Sequence, residues 1–241
     1  MTRAPARALL TALALLGWTV SASAMTQAAT TASIHPSLRP DRLGASTALT
    51  LALDYSDSEE GEEDVPSPVR TIVLRLPAGL RIDVRGVQSC PEARLRRQGA
   101  SGCPSGSLLG RGHAALEVHA GSQTLPEQAA VWAFRGADRG ASPTLEILSQ
   151  GYTPLDERTI GTGVLGSDRA PYGAKLTLSI PPIPTLVYEP DASLTSLSLT
   201  IGGDGAIGLP GSCPAGGFAF AAASTFADGS TAAASASVPC P

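Results

Sequence analysis

The sequence predicts an all-β protein, an antiparallel β-sandwich of jelly-roll or immunoglobulin-like style held by two local disulfides. Three observations predict it. Apolar residues recur at every second position along most of the chain, glycine and proline clusters separate these runs, and four cysteines sit in a chain that opens like an export signal. Ten or more short strands with turns between them and no long helical pattern fit a sandwich or a barrel, and the sandwich is the expected architecture. A parallel α/β enzyme fold does not fit this pattern.

The export signal comes first. Arg3 and Arg7 precede an apolar run from Leu9 to Val20, and Ala22-Ser23-Ala24 supplies the small-x-small pattern that signal peptidase accepts. Residues 1–24 are therefore expected to be a cleaved signal peptide and residues 25–241 a single β-sandwich domain. The run falls short of the roughly 20 apolar residues that span a bilayer. No cysteine follows the cleavage site to carry a lipid, and no later stretch is long enough to span, so no membrane span is expected after cleavage. The expected location is secreted, either extracellular or associated with the cell envelope.

Cleavage removes two of the 17 basic side chains and none of the 21 acidic ones, leaving a formal net charge of −6. That balance argues against nucleic acid as a partner, because displacing its counterions requires a basic stripe. Asparagine is absent, which excludes N-linked glycosylation, and Lys175 is the only lysine. Trp132 is the only tryptophan after the leader, so the core must be built from Leu, Val, Ile and Ala. In an exported chain Cys90, Cys103, Cys213 and Cys240 are expected to form disulfides. Three pairings are open; the local one, 90 with 103 and 213 with 240, is the simplest. Zinc is disfavoured because no Cys-x-x-Cys pair occurs.

Leu49, Leu51 and Leu53 alternate with small or polar residues and predict the first clear strand. The acidic stretch 54–64 follows, with Asp54, Asp57, Glu59, Glu60, Glu62, Glu63 and Asp64. Clustered carboxylates are preferred calcium ligands, which makes Asp57, Glu59 and Glu60 the candidate metal ligands and calcium the one cofactor considered. The spacing matches no established calcium loop, and a solvated, self-repelling loop explains the same run. Leu80, Ile82 and Val84 then alternate with charged residues, and Pro91 to Gln98 hints at a helical turn. Trp132 with Phe134 marks a strand in the middle of the chain, with Trp132 assigned to the core. Further strands are marked by Leu176, Leu178 and Ile180, by Leu197, Leu199 and Ile201, and by Phe218 and Phe220. Pro181-Pro182-Ile183-Pro184 reads as a stiff connection between two of them.

Few residues carry a chemical signal. His113, Glu117 and His119 share one face of a strand, but at about 3.3 Å per residue the two histidines stand roughly 20 Å apart and cannot hold one ion. Glu117 and His119 would need ligands from other strands, and nothing places His35 beside them. No Gly-x-Ser-x-Gly elbow and no His-Glu-x-x-His helix occurs. A pair of carboxylates for glycoside hydrolysis leaves no sequence signature and stays open. Glycan binding on a β-sandwich recruits exposed aromatic rings, and Tyr152, Tyr172 and Tyr188 are the candidates.

Leu76-Pro77-Ala78-Gly79-Leu80, Ser89-Cys90 and Cys103-Pro104 lead into Ser107-Leu108-Leu109-Gly110-Arg111-Gly112. With Ile180-Pro181-Pro182-Ile183-Pro184, Leu199-Thr200-Ile201-Gly202-Gly203, Cys213-Pro214 and Cys240, this pattern resembles a module of secreted proteins from high-GC actinobacteria. The resemblance covers nearly all of the mature chain. It implies a surface-exposed β unit, local cysteine pairing and one domain, and it implies no activity. Such modules often occur in tandem; here there is one copy. The expected function is a non-enzymatic secreted or cell-surface structural or interaction protein, whose partner is a cell-wall glycan or another surface protein. A carbohydrate-binding module is the alternative and a secreted hydrolase the second.

Overall fold

The computed structural model describes residues 30–57, 65–84, 86–185, 187–202 and 205–241. The expected signal peptide, and Glu59 and Glu60 of the acidic stretch, lie outside the described residues. The chain forms β1 (Thr31–Arg39), β2 (Ala48–Ser56), β3 (Val69–Pro77), β4 (Arg81–Ile82), α1 (Glu92–Gln98), β5 (Leu108–Ala120), β6 (Gln123–Arg135) and β7 (Thr144–Gly151). It continues as β8 (Arg158–Ser167), β9 (Tyr172–Ser179), β10 (Ser193–Gly202), β11 (Ile207–Gly208), β12 (Phe218–Phe226) and β13 (Thr231–Val238).

The class is as expected, all-β and antiparallel, but the strands are not divided between two facing sheets. Eleven of them form one continuous sheet in the order β1-β2-β10-β5-β6-β7-β8-β9-β3-β12-β13, and β4 pairs separately with β11. Cα atoms of the two edge strands, β1 and β13, approach within 8 Å. Stacked sheets stand about 10 Å apart, so β1 and β13 are lateral neighbours and the sheet curls into a nearly closed barrel. Two physical causes act here. The meander β5 to β9 pairs each strand with the next, with a single register shift at Leu108/Gly110. Strands β5 and β10 also approach closely where Gly112 faces Leu199: a Cβ on Gly112 would collide with the Ser198 carbonyl oxygen, so only glycine fits there.

The strand count leaves a seam. Ten successive antiparallel pairings bring the eleventh strand back to the direction of the first, so β1 and β13 run parallel. Among the described residues no ladder joins them. The seam is bridged from inside: Tyr55 of β2 reaches past both edge strands, its hydroxyl 2.6 Å from Ser224 Oγ on β12 and its ring edge-on to Phe226, with centroids 5.7 Å apart. Burial pushes the Tyr55 phenol above its ordinary pKa, so it stays protonated. Tyr55→Phe would strand the Ser224 hydroxyl in the interior, and we expect a loss of about 1–3 kcal/mol in denaturant unfolding.

The lower end of the barrel is where β1 begins and β9 ends; the upper end is where β1 ends and β9 begins. Strands β9 and β10 stand five places apart in the eleven-strand ring, so the connecting segment 180–192 must cross the lower mouth. It is tied down by Ile180 N–H donating to the Arg70 carbonyl at 2.8 Å, Ala192 N–H donating to the Ile183 carbonyl at 2.9 Å, and an Arg70–Asp191 ion pair. β3 and β5 are also five places apart, and the chain between them crosses the upper mouth. There Leu80, Ile82 and Val84, expected to form a strand of their own, supply only the two-residue β4 and pack with Ile207 and Leu209 as a lid.

The helical turn expected after Cys90 is α1. It lies on the outside of the barrel, where Leu95 and the Cys90–Cys103 disulfide cover Phe134, Leu148 and Ile160. Gly99, at φ +65°, ends α1 and donates its N–H to the Leu95 carbonyl at 2.7 Å. Trp132, expected in the main core, is half-buried in this outer cluster instead. Strand β6 therefore buries both faces along this stretch, and alternation alone does not tell them apart. Both disulfides are the local ones, Cys90–Cys103 and Cys213–Cys240, with Cα separations of 5.5 and 6.0 Å.

Candidate functional site

Inward-facing side chains of the eleven strands fill the lumen unevenly. Phe218, Phe220 and Phe226, three of the four phenylalanines in the chain, all point inward from β12 and are at most 2% exposed. Across from them the walls are Leu, Ile and Val, which reach less far. Two cavities stand out among the described residues. The upper one is about 70 Å³ and is lined by apolar side chains alone, among them Leu49, Leu74, Leu176 and Leu199. The lower one is about 60 Å³ and adds the hydroxyls of Ser149 and Thr159. Ile147, Leu178 and Leu197 line both, so the two are stacked along the barrel axis.

At the upper rim a third space of about 390 Å³ opens to solvent between the lid and the ends of β8 and β9. It shares Ile82 and Leu165 with the upper cavity, so these two side chains stand between solvent and lumen. Leu197, Leu199 and Ile201 face inward from β10 yet are only half-buried, whereas Leu49 and Leu53 opposite them on β2 are 3% and 2% exposed. An apolar void costs about 24 cal/mol per Å³, so filling both cavities would recover roughly 3 kcal/mol. The lumen is thus a largely apolar space with a way in.

The sequence reading missed this site, although one signal was present. Ile160-Gly161-Thr162-Gly163-Val164 places glycine at alternate positions of β8, and both glycines face the lumen. Gly161 lines the lower cavity. The neighbouring strand leans into that room: Leu176 and Leu178 of β9 stand 2.9 and 3.2 Å from where a Cβ on Gly163 and on Gly161 would lie.

The residues singled out from the sequence are scattered. Tyr152, 59% exposed, and Tyr188, fully exposed at φ +71°, lie at the lower end together with exposed Val187. Tyr172 lies at the opposite end of β8 from Tyr152, about 30 Å away along the strand, where the Arg75 guanidinium sits 5.7 Å from its ring centroid. Asp57 follows β2 at the lower end. Among the described residues no group of three His, Cys, Asp or Glu is placed to hold a metal. His35 and His113 share a register row but two strands, β2 and β10, lie between them, which puts them about 14 Å apart.

One cluster has the composition of a hydrolytic triad. His35 Nε2 is 3.1 Å from Ser33 Oγ and 3.7 Å from Asp54 Oδ2. The same ring nitrogen faces both partners, whereas a triad histidine takes the serine proton on one nitrogen and is held by the carboxylate through the other. The cluster lies on an open strand face, with the His35 side chain 68% exposed, so it forms a surface polar contact.

Glu146 is 6% exposed on the outer face of β7, beneath the α1 cluster, and accepts a hydrogen bond from Thr162 Oγ1 at 2.9 Å. Burial raises its pKa; the Thr162 hydrogen bond opposes this, and nearby Glu92 adds to it. A carboxyl that binds its proton more tightly when folded loses stability as pH rises from the unfolded value through the folded one. We therefore expect Glu146→Gln to be more stable than wild type at pH 7.5 and to match it below about pH 4, where both states are protonated. Denaturation midpoints at the two pH values check this.

Compared with protein-family models, with curated proteins and with solved structures, the chain matches none.

Proposed function

We propose that the protein is an exported, non-catalytic binding protein that holds a small apolar ligand inside its barrel. The observation that carries this reading is the pair of stacked apolar cavities behind a solvent-open groove. Export is supported by the leader-like N-terminus, by the two disulfides, and by the absence of any helix among the described residues long and apolar enough to cross a membrane. An 11-stranded barrel is wide enough that short aliphatic side chains do not fill it, and binding an apolar molecule offsets the unfilled space.

Titrating residues 25–241 with N-phenyl-1-naphthylamine, a dye that fluoresces when it leaves water, tests the proposal. Saturable one-to-one binding is expected. Ala114→Leu adds three carbons at the wall of the lower cavity and should weaken dye binding severalfold while leaving the fold intact by circular dichroism. Failure of the dye to saturate, or binding indifferent to Ala114→Leu, overturns the reading.

A second reading has its own observation. Tyr152, Val187 and Tyr188 are the exposed large hydrophobics among the described residues, and all three lie at the lower end. That is the surface a cell-wall glycan or another surface protein would meet. Pull-down on cell-wall polymer with and without calcium, comparing wild type with Tyr188→Ser, checks it together with the role of the acidic stretch.

A further inference from the structure

We infer that the ligand is a single unbranched alkyl chain that enters tail-first through the upper groove and leaves its head group there; this rests on the reading of the lumen as the ligand site. Shape is the first argument. The two cavities follow β10 from Leu194 to Ile201, about 23 Å of strand, yet hold only about 70 and 60 Å³. A space that long and that thin accommodates one chain and excludes a rigid four-ring sterol or a second tail.

Wall chemistry is the second argument. No aromatic side chain lines either cavity, so a flat ring would find no face to stack on. No charged side chain lines them either, so a polar head would be buried without a partner. The groove differs, since Ser142 and Ser167 line it beside Leu80, Pro143 and Ala174. Hydroxyls and open solvent suit a head group of either charge or none.

Access is the third argument. Ile82 and Leu165 are common to the groove and the upper cavity. Ile82 belongs to β4, which is held by two residue pairs with β11 and by Asp83 N–H donating to the Ala206 carbonyl at 2.8 Å, while β11 itself is anchored to the β1–β2 turn, so opening needs to displace only β4. The lower mouth is spanned by a longer strap tied by the Arg70–Asp191 ion pair and by Glu189 Oε1 accepting the Gly121 N–H at 3.0 Å, and the space beside it, lined by Glu127, Glu157 and Thr159, is only about 20 Å³.

The experiment is displacement of N-phenyl-1-naphthylamine by saturated fatty acids of increasing length, by alcohols of the same lengths, by a lysophosphatidylcholine, a diacyl phosphatidylcholine and a sterol. We expect Kd to fall by up to about fourfold per added methylene and then level off once the lumen is full. Acid, alcohol and lysolipid of equal chain length should agree within about threefold, while the diacyl lipid and the sterol should not compete. Leu165→Ala should raise the association rate severalfold, a change that lost wall contacts alone would not produce, and Ile82→Val serves if that variant misfolds. A sterol or diacyl lipid that competes as well as the single chains, a Kd that never levels off, or rates indifferent to both variants overturns the inference. Failure of the dye itself to bind wild type overturns the lumen as a site, which is a separate result.

Discussion

Phe220→Ala is expected to lower the unfolding free energy by about 3–5 kcal/mol, the range for removing a fully buried ring. Phe220 is 1% exposed at the centre of β12, with Phe218 two residues before it on the same inward face. The lumen is already underfilled on the opposite side, so the surrounding leucines have little spare packing with which to collapse into the new space. The cost should therefore fall toward the top of that range. Denaturant unfolding with and without a saturating apolar ligand checks both halves of the argument. The variant should be less stable alone and should recover more stability than wild type when a ligand fills the enlarged lumen.

Replacing Cys213 and Cys240 together by serine is expected to cost about 3.5 kcal/mol, the chain-entropy value for a loop of this size. The bridge spans 27 residues and encloses the β12–β13 hairpin. β13 has a ladder on one side only, because its other neighbour is the parallel seam. Without the bridge its inward residues are Ala232, Ala234, Ala236 and Val238, which bury little apolar area. Hydrogen exchange should accelerate first at 231–238 and spread into β12. Protection unchanged in β13 would show that the seam holds the strand by itself.

Much of the fold was legible. Period-two runs at Leu49–Leu53, Leu176–Ile180, Leu197–Ile201 and Phe218–Phe220 mark β2, β9, β10 and β12, because a strand with one buried face has no other way to distribute its side chains. The local cysteine pairs and the turn after Cys90 also appear where the sequence puts them. What alternation leaves open is which surface the buried face meets. Leu197 points inward whether the opposite wall belongs to a second sheet or to the far side of the same one, so sandwich and barrel share a pattern. Gly110 and Gly112 carry the missing information: they permit β5 to bend over β10 where a side chain would strike the neighbouring backbone. The lumen was less legible, since a cavity is defined by what several strands together fail to fill. Gly161, on the wall of the lower cavity, is its one local trace.

The placement of the first and last strands has a mechanical consequence. β1 begins at the lower end and β13 finishes at the upper end, so tension applied through the two ends of the described chain would act along the barrel axis. β1 would be drawn lengthwise against β2, loading their nine register pairs at once rather than peeling them one by one. At the other end Cys240 passes the pull through its disulfide to Cys213, ahead of β12, so the load bypasses the weakly held β13 and reaches a strand paired on both sides. Both attachment points thus meet tension in shear, the geometry that resists force best, in a chain whose composition and bridges fit life outside the cell.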